Sequence, residues 1–72
     1  MKYGVVLFHT TSSAMRSEKL LGKQALTIKL IPTPREFSSD CGLALRFDWN
    51  QRETVESLLR TASVEIDTVR EI

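Results

Sequence analysis

The chain has 72 residues, of which 10 are basic and 9 acidic, for a net charge of +1, and 42% are hydrophobic. That length suits a single domain over residues 1–72 with one core, and a chain of this size buries only about 60% of the surface it exposes when unfolded. The charge balance excludes a basic nucleic-acid face and a polybasic membrane anchor, and the apolar content excludes disorder.

Tyr3 to Phe8 predicts a first strand, β-branched and aromatic, with apolar residues on both sides. Thr10-Thr11-Ser12-Ser13 supplies helix N-cap residues, and a first helix is expected to run to about Gln24. Its apolar stripe joins Ala14, Leu21 and Ala25, with Met15 and Gly22 at the edge and Glu18 inside it. Leu26 to Ile31 predicts a second strand, with Ile28 and Leu30 on one side and Thr27, Lys29 and Ile31 on the other. Pro32 and Pro34 end it, because neither donates a ladder hydrogen bond.

Leu43-Ala44-Leu45-Arg46-Phe47 predicts a third strand with Leu43, Leu45 and Phe47 toward the core. Asn50 followed by Glu53 fits a capping-box start for a second helix, with Trp49 packing beside it. Val55, Leu58, Leu59 and Ala62 recur at i, i+3, i+4, i+7 and give that helix its buried face. Val64 to Ile72 supplies the last strand. The order β-α-β-β-α-β, with both helices on one sheet face and right-handed crossovers, predicts an α+β ferredoxin-like sandwich. Its four-stranded antiparallel sheet then has strands one and three at the centre. The uncovered face is expected to carry Val6, Phe8, Ile31, Ala44 and Arg46, a partly apolar surface that suggests a homodimer.

The first apolar run stops at a polar cluster, too short for a signal peptide, and no segment reaches the roughly 20 apolar residues of a membrane span. Cys41 is the one cysteine, so no internal disulfide forms, and a lone thiol fits a reducing, cytoplasmic setting. One Cys and one His make a dedicated metal site improbable, and no cofactor is implied. No glycine-rich phosphate loop and no aromatic RNA-binding signature on strand three occur.

Chemistry concentrates between Ile31 and Leu43. Prolines stiffen this segment, Ser38 and Ser39 offer hydroxyls, and Gly42 permits positive φ or close approach. Cys41 is expected at the mouth of a strand beside open amides, partly accessible to solvent. There Arg35 and backbone N–H groups would stabilise a thiolate. Asp40 opposes this, and a free cysteine is also among the residues most often buried as a small hydrophobe. His9, at the end of strand one, is a candidate base, and Glu18 a candidate partner for Arg35.

Phe8-His9-Thr10-Thr11-Ser12-Ser13-Ala14, Ser17-Glu18-Lys19-Leu20-Leu21, Ile31-Pro32-Thr33-Pro34-Arg35-Glu36 and Ser39-Asp40-Cys41-Gly42-Leu43 through Phe47 resemble the DUF3343 family of selenium/sulfur carrier-like proteins. The Pro-Thr-Pro-Arg and Cys-Gly elements are the most specific parts of the match. The resemblance adds Thr10 and Thr11, in the turn after strand one, and the pair Glu18 and Lys19. Ser17 stands where the family usually has alanine, and Asp40 where a small neutral residue is commoner.

The resemblance implies a chalcogen relay more than a stand-alone enzyme. A donor such as a cysteine desulfurase or selenocysteine lyase-type enzyme would load Cys41 with sulfur or selenium, and an acceptor protein would unload it. Arg35 would stabilise the thiolate, while Ser38, Ser39 and the Gly42 amide hold the terminal atom, and Thr33, Pro34, Thr10 and Thr11 are further candidate binding residues. The rival reading is a non-catalytic ligand-binding or protein-interaction module of the same fold. A thiol oxidoreductase is disfavoured, because no Cys-x-x-Cys is present.

Overall fold

The computed structural model describes residues 2–37 and 41–72. In chain order it has β1 (Tyr3–Leu7), α1 (Thr11–Gly22), β2 (Ile28–Pro32) and β3 (Leu43–Asp48). A 3-10 turn (Trp49–Gln51), α2 (Arg52–Thr61) and β4 (Thr68–Glu71) follow. The strands form one antiparallel sheet in the order β2-β3-β1-β4. This is the ferredoxin-like α+β arrangement expected from the element order, with strands one and three central. Pro32 closes β2 on a sheet edge, opposite Leu43, where a missing N–H leaves no ladder bond unmade.

The core lies between the sheet and the two helices. Val6, Phe8, Leu45 and Phe47 from the sheet side meet Ala14 and Leu21 of α1 and Val55 and Leu59 of α2. Phe8, Phe47, Leu21, Leu45 and Leu59 are among its largest fully buried side chains, each contributing about 1.5–3 kcal/mol relative to exposure. Leu58 and Ala62 pack at its margin.

Several local expectations are corrected. Val6 and Phe8 face the helices, and the opposite sheet face carries Val5, Leu7 and Ala44, with Ile31 and Phe37 packed against them. Phe37, in the segment after β2, covers residues that a bare sheet would expose, so Val5 and Leu7 are buried. Of the residues that suggested self-association through this face, Val6 and Phe8 are therefore not on it, while Ile31, Ala44 and Arg46 are. On α1 the buried stripe is Ala14, Ser17 and Leu21, while Met15 and Glu18 are exposed. Ala25 lies beyond the helix in the left-handed region, at φ 57°.

The second helix starts after the 3-10 turn, and Gln51 at its N-cap makes no side-chain capping bond. The Asn50–Glu53 capping box is thus not formed, because the 3-10 turn takes up Asn50. α2 ends in a Schellman arrangement, with Ser63 at φ 57°. The Val64 N–H donates to the Leu59 carbonyl and the Ser63 N–H to the Arg60 carbonyl, each at 3.0 Å. The second strand begins at Ile28 and the last at Thr68, since these are the first residues in register with their neighbours.

Ser17 is wholly buried, and its hydroxyl has no hydrogen-bond partner. An orphaned buried hydroxyl costs about 1–3 kcal/mol, and alanine is also the better helix former. Ser17→Ala is expected to stabilise the fold by about 1 kcal/mol and raise the melting temperature by about 4–8 °C. Thermal unfolding followed by circular dichroism checks this, and a lowered midpoint would mean the hydroxyl has a partner after all.

Candidate functional site

Cys41 immediately precedes Gly42 and the first residue of β3. Its backbone is fixed from the facing strand end. The Thr33 hydroxyl donates to the Cys41 carbonyl at 2.9 Å, and the Thr33 N–H donates to the Gly42 carbonyl at 3.0 Å. The proline segment is ordered by a turn in which the Phe37 N–H donates to the Pro34 carbonyl at 3.0 Å. Thr33, a candidate binding residue, thus holds the backbone on either side of the cysteine's peptide link to Gly42, while Pro34 takes part in the turn that follows β2.

Among the described residues, a backbone amide and a hydroxyl reach the sulfur. The Leu43 N–H donates to Sγ at 3.3 Å, and Thr11 Oγ1 lies 3.8 Å away. A side-chain acceptor bonded to the N–H two residues on is the local geometry of an Asx turn, here made by sulfur. Thr11 is the first residue of α1, whose N-cap is Thr10. Thr10 Oγ1 accepts from the Ser13 N–H at 3.2 Å and donates to Ser13 Oγ at 3.1 Å. The sulfur therefore lies beside a helix N-terminus, where unpaired N–H groups and the helix dipole favour negative charge.

The expected accessibility is not found. Cys41 is 3% exposed and belongs to the core between sheet and helices. The expected positive φ or close approach at Gly42 is also absent. Its φ is not positive, and among the described residues nothing lies within 4 Å of where a Cβ would be. The amide on the sulfur is that of Leu43, not Gly42. This was legible only in the spacing, since an acceptor side chain two residues before a strand start commonly bonds that N–H.

Arg35 is exposed in the turn after Pro34. The polar groups placed on the sulfur among the described residues are Thr11 and the Leu43 amide, in its stead. Glu18 is exposed on α1, and no ion pair joins it to Arg35 among the described residues. His9 is exposed beyond β1, two residues before Thr11. Ser38 and Ser39, expected to hold the terminal atom, and Asp40 lie outside the described residues. Among the described residues no group of three or more His, Cys, Asp or Glu is placed to hold a metal ion.

The site thus joins three candidate residues, Thr11, Thr33 and Gly42, around Cys41 and leaves Arg35 and Glu18 outside. The profile of the family described as "Putative Se/S carrier protein-like" matches residues 3–71. The chain belongs to this family. The match spans every strand and both helices, so the Cys41 site lies wholly within the family's own domain. No curated protein and no solved structure matches the chain. Among the described residues no helix is long and apolar enough to cross a membrane.

Proposed function

We propose that this Se/S carrier-like chain relays a chalcogen on Cys41, in the cytoplasm, between a donor of the cysteine desulfurase or selenocysteine lyase type and an acceptor protein. The observation that carries this reading is the thiol held between the Leu43 N–H at the start of β3 and the Thr11 hydroxyl at the N-terminus of α1. Those donors suit a sulfur that bears charge during transfer. In the step itself the Cys41 thiolate attacks the terminal sulfur of a donor persulfide. The donor's S–S bond breaks, the donor leaves as a thiolate, and Cys41 becomes the persulfide. Oxidation states are exchanged between the two cysteines, and no external oxidant is needed. The chain has no other cysteine, so no thiol in it displaces the cargo by closing a disulfide.

The burial of Cys41 favours a second reading, in which the residue only packs and the domain is a non-catalytic interaction module. Thiol transfer separates the two. A persulfide-loaded desulfurase incubated with this protein is expected to add the mass of one sulfur atom, seen by intact-protein mass spectrometry. Reductant should remove the added mass, and Cys41→Ser should never acquire it. Wild type and Cys41→Ser remaining equally unmodified would leave Cys41 as a packing residue.

A further inference from the structure

We infer that the sheet face opposite the helices is a docking surface for an acidic patch on a partner protein. One rung of the ladder crosses all four strands as Lys29, Arg46, Val5 and Arg70, paired in that order. Strand spacing makes this row roughly 14 Å wide. Val5 is buried, so the row presents three cations and no carboxylate. None of the three is in an ion pair among the described residues. On this face the nearest acidic residue in register is Asp48, at the end of β3 opposite Tyr3. Glu71, next to Arg70, pairs with Gly4 on the helix side of the sheet and is in an ion pair with Lys2. Glu36 is exposed in the turn after Pro34. In a chain of net charge +1 this is a local concentration of positive charge.

Two of the cations are held in place. The Arg46 guanidinium lies over the Tyr3 ring at 4.7 Å, and that of Arg70 over the Phe37 ring at 5.8 Å. A guanidinium laid on a ring gives up little further freedom on binding, and its planar fork matches a carboxylate in two parallel hydrogen bonds. Arginines of this kind anchor protein interfaces. A single-stranded nucleic acid is the weaker fit. It needs open aromatic faces for base stacking, and both rings here are occupied by the arginines. The pI of about 7.9 is also below that of a typical nucleic-acid-binding domain. An apolar partner face is no better served, because Val5, Leu7 and Ala44 are buried beneath this layer. The surface stands whether or not Cys41 carries a chalcogen.

Nuclear magnetic resonance titration of the labelled protein at low salt tests this, with a short oligoglutamate peptide and an oligouridylate of matching charge as probes. The oligoglutamate is expected to shift amides around Lys29, Arg46 and Arg70 and to bind more tightly than the oligouridylate. Lys29→Gln with Arg70→Gln should weaken it about tenfold. Both residues are exposed, so the fold is expected to survive. Arg60→Gln, an exposed cation on α2, should change nothing. Tighter binding of the oligouridylate would overturn the proposal in favour of a nucleic-acid face. Shifts confined to the helices, indifference to the paired replacement, or no binding of oligoglutamate would also overturn it.

Discussion

Gly4→Ala is expected to lower the melting temperature by about 10–20 °C. A Cβ built at Gly4 would lie 2.5 Å from Cε3 and 2.9 Å from Cζ3 of Trp49, and 2.6 Å from Cζ of Phe47. Gly4 pairs with Phe47 across β1 and β3. The Phe47 and Trp49 rings stack at 6.1 Å over the space where a side chain would begin. Neither ring yields easily. Phe47 is fully buried, and the Trp49 backbone is anchored by its amide N–H, which donates to the Lys2 carbonyl at 3.0 Å. Overpacking of this kind costs typically 1–3 kcal/mol, and contacts this short belong at the upper end. A domain of this size has only about 5 kcal/mol in total. Trp49→Leu should recover part of the loss in the double variant, because it removes one of the two rings. A midpoint within about 2 °C of wild type, against the 4–8 °C that 1 kcal/mol shifts in such domains, would show that the stack moves aside.

Gly4 also explains why part of the fold was not legible in the sequence. The order of elements was readable, because Leu45 and Phe47 alternate cleanly and Val55, Leu58, Leu59 and Ala62 repeat at helical spacing. The parity of β1 was not, because Gly4-Val5-Val6-Leu7-Phe8 has no polar residue to mark a face. What sets it is tertiary. Only the residue without a side chain fits under the Phe47–Trp49 stack, and that places Val6 and Phe8 on the helix side. Phe37 covering Val5 and Leu7 is likewise a contact between distant segments. On α1, Ser17 was passed over because serine reads as surface, although its small size suits the buried stripe. At the site, the sequence picked out Cys41, Thr11 and Thr33. It overrated Arg35, because charge in a loop says nothing of where the loop points.

Alkylation of Cys41 in the native protein is expected to run about 10²–10³-fold slower than in the unfolded chain, through local opening and not global unfolding. Burial to 3% exposure demands the slowing. The placement of the residue argues for the local route. Cys41 precedes the first ladder pair, Pro32 with Leu43. Uncovering its sulfur releases Thr11, the Leu43 amide and the Thr33 contacts while leaving the sheet paired. Global unfolding of a domain holding about 5 kcal/mol would instead slow the reaction on the order of 10⁴-fold. Gly4→Ala distinguishes the two routes. Gly4 pairs near the Asp48 end of β3, while Cys41 adjoins the Leu43 end. Loss of about 2–3 kcal/mol of global stability there should leave a local opening untouched. If the thiol reacts only on global unfolding, the same substitution should speed alkylation about 30- to 100-fold. A rate unchanged by Gly4→Ala and nearly independent of low urea concentrations supports a thiol that the native fold can present to a donor. A rate that tracks global stability means the native protein never offers the sulfur, and the relay loses its one reactive group.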